Sequence, residues 1–100
     1  MRVSEVTVSL VKPHDGLVGF AALVIDDGIY LGGIAIHRKL DGSGFRLLYP
    51  TRKSGSQSFN IFHPINRDAG KVIEQAILAK LNDVMNRLDG DAGYNRADTA

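Results

Sequence analysis

There is no cysteine anywhere in the 100 residues of this chain. Disulfides and thiolate metal sites are therefore excluded, which fits a cytoplasmic location. Apolar runs are short, and none approaches the ~20 residues that a membrane span requires. The N-terminus lacks the basic-then-apolar layout of a secretory signal. His14, His37 and His63 show no pairing at metal-ligand spacing. No Gly-x-Ser-x-Gly elbow occurs, Ser54, Ser56 and Ser58 read as loop polarity, and Gly42-x-Gly44 opens no helix. Asp26 and Asp27 are adjacent acids, but in a tight turn Asp is favoured for conformational reasons. These absences argue against an enzyme, a cofactor and a small-molecule substrate.

What the chain does have is an uneven spread of charge around a formal net of +1. Residues 37–53 carry Arg38, Lys39, Arg46, Arg52 and Lys53 against Asp41 alone, a local +4. Residues 1–36 and 89–100 each come to −2. A basic middle between acidic ends can set up a local field despite the neutral total, although hairpin charges can equally be ordinary solvated groups.

One domain is expected, over residues 1–89, with 90–100 small, polar and disordered. Val6, Val8 and Leu10 alternate with Thr7 and Ser9, the period of a half-buried strand. Pro13 to Gly16 reads as a turn. Phe20 to Ile25 is apolar throughout, which predicts a central strand covered on both faces. Asp26-Asp27-Gly28 signals a hairpin. In the third strand, Ile29 and Leu31 share one parity while Ile34 and Ile36 share the other. The switch falls at Gly32-Gly33, where glycine tolerates a bulge or a close backbone approach. It predicts a bend whose second half serves another neighbour, most simply a second subunit. Ile29, Leu31, Gly32, Gly33, Ile34 and Ile36 thus form the expected dimer interface.

A fourth strand follows the Asp41–Gly44 turn, with Phe45, Leu47 and Tyr49 on one side and Arg46 on the other. Thr51 to Ser56 reads as a polar loop, and Phe59 and Ile61 as a short fifth strand ended by Pro64. From Arg67 the period becomes helical. Ala69, Val72, Ile73, Ala76, Ile77, Leu81, Val84 and Leu88 form one stripe, with Asn66 as N-cap, Asp68 in the first turn and Gly90 as a stop. About 22 residues of helix would span roughly 33 Å. The fold class is α+β: an antiparallel sheet of about five strands followed by one long C-terminal amphipathic helix.

The most informative stretch is Tyr49-Pro50-Thr51-Arg52-Lys53, followed by His63-Pro64-Ile65-Asn66 and the helix. It sets Arg52, Lys53, Arg67 and Lys71 on either side of one strand and at a helix N-terminus, a candidate anion site with phosphate as the obvious ligand. In this order the motifs resemble the bacterial SpoVG family of stage V sporulation and septation regulators. The opening Val3-Ser4-Glu5-Val6, the Asp15-Gly16 turn and the matched element lengths extend the likeness over residues 1–81. The resemblance implies the same fold class, a homodimer built through strand contacts, DNA binding through the basic pair Arg52 and Lys53, and RNA binding as well. Thr7, Ser9 and Leu10 stand where family first strands often carry basic residues, and Ala35 replaces a basic residue of the third. The basic surface is accordingly thinner and partly relocated.

Two functions follow as expectations. One is a dimeric regulator of septation or developmental gene control that binds nucleic acid through Arg52, Lys53, Arg67 and Lys71. The other is a non-enzymatic protein-interaction module in septation whose charges only solubilise it. Convergence of the four cations on one face would favour the first.

Overall fold

The computed structural model describes residues 1–87 with their side chains. Its strands are β1 (Val3–His14), β2 (Leu17–Ile25), β3 (Ile29–Arg38), β4 (Phe45–Leu48), β5 (Thr51–Ser54) and β6 (Gln57–Asn60), followed by helix α1, bounded at Arg67–Thr99. The helix runs past Gly90, where the sequence predicts a stop; the disorder expected over 90–100 and the stripe position Leu88 fall outside the fully described residues. The class is α+β, as the periodicities predict. The strands, however, are divided between an antiparallel sheet of order β1-β2-β3-β4 and a separate two-stranded ribbon, β5-β6.

Short-range chemistry closes each hairpin of the main sheet. Asp26 and Asp27 both adopt left-handed φ, 49° and 54°, and Gly28 N–H donates to the Ile25 carbonyl at 3.0 Å. Positive φ at both central residues suits the right-handed twist of the flanking strands. Arg2 ties the N-terminus to this turn: its N–H donates to Asp26 Oδ1 at 2.7 Å, and its guanidinium pairs with Asp27. Asp41 Oδ1 accepts from Ser43 N–H at 2.9 Å and shapes the β3–β4 turn. The first turn is tighter than expected, because β1 runs through Pro13 to His14. As an edge strand, β1 tolerates a residue with no N–H to donate.

The core lies between the sheet and α1. Leu23, Ile34, Ile36, Ile77 and Leu81 are 0% exposed, with Ala21, Val18 and Ile73 beside them. The helical stripe packs as the spacing predicts through Ile73, Ile77 and Leu81, while Val72 lies at its margin, 38% exposed. Asn66 caps the helix, its Oδ1 accepting the Ala69 N–H at 2.8 Å.

The bulge at Gly32-Gly33 is present: Ala21 pairs with Ile34 and Leu23 with Leu31, so two glycines face the single residue Ala22. Its consequence differs from the expectation. The extra residue returns Ile34 and Ile36 to the face that Leu31 already uses, and all three join this chain's own core. Ile34 and Ile36 are thereby unavailable to a partner. The second half of β3 pairs instead with β4, Ala35 with Leu48 and Ile36 with Leu47. Gly33 is required for its φ of +74°, not for close approach, since a Cβ there would meet nothing within 4 Å.

Within this chain only one face of β2 is covered. Helix α1 covers one face, and on the other Phe20, Ala35 and Leu48 form a row across three strands. Phe20 and Leu48 are each 40% exposed, and Tyr30 on the neighbouring strand is 71% exposed. Ala22 is shielded by its small size and flanking strands rather than by a second layer.

Candidate functional site

Residues 51–56, expected as a loop, build β5 and the turn of the ribbon. Gly55 at φ +64° permits a two-residue turn, and the backbone ladder sets Thr51 opposite Asn60, Arg52 opposite Phe59 and Lys53 opposite Ser58. These strands carry no apolar alternation because neither face of the ribbon is buried; all eight strand residues are exposed. At the base of the ribbon, Ile61 N–H donates to the Pro50 carbonyl at 2.9 Å. Below it Tyr49 and Phe62 meet edge to face, their rings 6.0 Å apart.

Successive strand residues point to opposite faces. Arg52 therefore shares one face with Phe59, and Lys53 shares the other with Ser58. Phe59 is 52% exposed, so one ribbon face offers a cation and an aromatic ring together. Between Asp41 and Asp68 the sequence holds no acidic residue at all. That gap was a usable signal for an anion-facing surface.

Arg67 and Lys71 lie elsewhere. Spaced i and i+4 on the first turns of α1, they share a helix face. They line a cleft of about 540 Å³ against the β4 edge, together with Arg46 of β4 and Lys39 of the β3–β4 turn. Phe45, Leu47, Tyr49 and Pro64 supply its apolar wall. Of the four cations expected to act together, the structure thus brings Arg67 and Lys71 to this cleft and sets Arg52 and Lys53 on the ribbon. Lys39 and Arg46 join the cleft without being among the four expected site cations. Arg46 was recognisable as the polar position opposite Phe45 and Leu47, but its nearness to the helix was not.

Glu74 is the one acid lining the cleft, and the four cations make no ion pair among the described residues. Burial, reinforced by the nearby Glu74 charge, holds the Tyr49 phenol above its ordinary pKa. Tyr49 therefore stays a neutral hydrogen-bond donor at physiological pH. Arg38, at the end of β3, stacks over Phe45 with its guanidinium carbon 5.0 Å from the ring centroid. Chemically, the arrangement can bind anions at two places, a convex ribbon and a concave cleft.

The expected interface residues on β3 do not form one open surface: Ile29 is 58% exposed, Leu31 and Gly32 are half-buried, Gly33 is exposed, and Ile34 and Ile36 are buried. Among the described residues, no helix is long and apolar enough to cross a membrane.

The sheet, the ribbon and the helix as far as residue 83 fall within a known unit, for the SpoVG family model matches residues 1–83. The chain belongs to the SpoVG family. Three similar proteins carry the name "Putative septation protein SpoVG". That of Phytoplasma australiense is 33% identical over 88 residues, covering 86% of this chain and 88% of the relative. That of Finegoldia magna is 31% identical over 85 residues, or 83% and 76%. That of Aster yellows witches'-broom phytoplasma is 28% identical over 87 residues, or 85% of each. Both the ribbon and the cleft, Lys71 included, lie inside the SpoVG match.

Proposed function

We propose that this chain is a cytoplasmic, homodimeric regulator in septation that acts by binding nucleic acid rather than by catalysis. The observation that carries the reading is the β5–β6 ribbon: eight exposed residues, no acid, and cations on both faces through Arg52 and Lys53. A two-stranded ribbon has the width to enter a DNA major groove, and cations on both its faces can reach phosphates on the two flanking strands. Phe59 beside Arg52 adds a stacking surface suited to unpaired bases of RNA or single-stranded DNA. Arg67 and Lys71 supply further phosphate contacts from the cleft.

Dimerisation is supported by surfaces other than the one expected on β3. The Phe20–Ala35–Leu48 row is apolar and uncovered, and a free two-stranded ribbon is marginal unless something packs against it. The same row also favours a second reading, a septation module that binds protein alone.

Fluorescence anisotropy with random-sequence duplex and single-stranded oligonucleotides, at two salt concentrations, separates these readings. Binding by the parent chain should weaken steeply with salt. Arg52→Ala with Lys53→Ala should remove most of it and lower the salt slope on duplex DNA by about two per engaged subunit. Circular dichroism should be unchanged, because both side chains are exposed. Undiminished binding in the double variant would overturn the ribbon assignment. No binding by the parent at low salt would favour the protein-interaction reading, and a 10.8 kDa species in light scattering would remove the dimer.

A further inference from the structure

We propose that the cleft between β4 and the start of α1 is a site for a small phosphate monoester with a flat apolar body, of the nucleoside monophosphate class. The first argument is charge. Lys39, Arg46, Arg67 and Lys71, from three separate elements, line the cleft, and Glu74 is the one acid among its lining residues. None of the four forms a close ion pair among the described residues, although Asp41 lies near enough to Lys39 to feel its charge. A phosphate monoester carries about −1.5 to −2 at neutral pH and three strong acceptor oxygens. A carboxylate would leave most of the excess in place. The two arginines offer planar forks for paired oxygens, and the lysines add mobile point charges.

The second argument is shape. The cleft's 540 Å³ falls within the ~300–1,000 Å³ typical of sites for small organic ligands. Inorganic phosphate would leave most of it empty. Phe45, Leu47, Tyr49 and Pro64 form an apolar wall beside the cations, so charge and apolar surface meet in one concavity. The half-buried Tyr49 hydroxyl, held above its ordinary pKa, adds a neutral donor for a ribose or base oxygen. The ribbon has none of this concavity; its residues are exposed on both faces.

Arg67 and Lys71 also serve the nucleic-acid reading, so the test must separate a free ligand from a polymer. Calorimetric titration of the full chain would use adenosine 5′-monophosphate, adenosine and inorganic phosphate as probes. The expected result is one AMP per chain, bound about tenfold or more tighter than either adenosine or phosphate. Arg46→Ala with Lys71→Ala should abolish it, whereas Arg52→Ala with Lys53→Ala should leave it intact. If the first variant does not fold, Lys71→Glu gives the same comparison at an exposed position. AMP binding no tighter than inorganic phosphate would overturn the proposal, as would equal loss in the ribbon variant. Oligonucleotide binding with no AMP binding at millimolar concentration would overturn it too, while leaving the ribbon's function standing.

Discussion

The four-stranded sheet and the β5–β6 ribbon are built from the same antiparallel ladder and differ in what lies against them. Helix α1 lies on the sheet, and Leu23, Ile34 and Ile36 disappear from solvent. Nothing among the described residues lies on the ribbon, where Phe59 remains 52% exposed. Composition follows the covering. The nine residues of β2 include no charge, whereas two of the four in β5 are cations. A ladder alone gives a marginal hairpin, so the covered sheet supplies the stability and the bare ribbon is left available for a partner. The proposed nucleic-acid contact thus falls where folding makes the least demand.

The largest effect that could break this contrast is in the core. Ile77→Ala removes a side chain with 0% exposure from between α1 and the sheet, and should cost about 2–5 kcal/mol. Phe59→Ser, on the ribbon, should stay within about 0.5 kcal/mol. Urea midpoints of both variants, measured in parallel, check the pair. Comparable losses at the two positions would mean that the ribbon is packed in solution. Repetition at a second protein concentration would then show whether a second copy packs it.

A smaller loss is expected where two strands meet without a side chain between them. A Cβ at Gly19 would lie 2.6 Å from the Ser9 carbonyl oxygen and 3.3 Å from Leu10 Cα. Both are backbone atoms, so relief requires the β1–β2 ladder to shift. Gly19→Ala should therefore destabilise by about 1–3 kcal/mol, read from thermal or urea unfolding. The ribbon's Gly55, with nothing within 4 Å, presents no such barrier of space, and only its φ of +64° resists substitution.

Periodicity made the covered region readable. The alternation of Val6, Val8 and Leu10, the register change at Gly32-Gly33 and the α1 stripe through Ile73, Ile77 and Leu81 are all present. Asn66 was legible as a cap because its short side chain can reach the third N–H of the helix. The ribbon was not legible, since strands buried on neither face need no apolar alternation, and Thr51 to Ser56 then looks like a loop. Nor was the meaning of the parity switch. A bulge states that a strand changes register, not whether the neighbour is α1 or another subunit. The cleft combined both difficulties: Arg67 and Lys71 were visible from the helix start, but their meeting with Lys39 and Arg46 depends on how α1 lies along β4.

The smallest effect sharpens the contrast from the helix side. Gly70 sits in the first turns of α1, where its N–H already donates to the Asn66 carbonyl at 3.1 Å. Its φ is not in the left-handed region, so no turn or cap requires glycine there. A Cβ would meet only Pro64 Cγ at 3.7 Å and Cβ at 3.8 Å, ordinary van der Waals contact. Alanine also loses less backbone entropy on folding than glycine does. Gly70→Ala should therefore stabilise the protein by about 0.5–1 kcal/mol, seen as a raised urea midpoint with an unchanged slope. Because Gly70 also lines the cleft, the added methyl narrows it beside the basic side chains of Arg67 and Lys71. Greater stability with weaker AMP binding and unaltered ribbon binding would show that glycine serves the cleft at the helix's expense. A lowered midpoint would mean that the start of α1 lies closer to Pro64 than these distances allow.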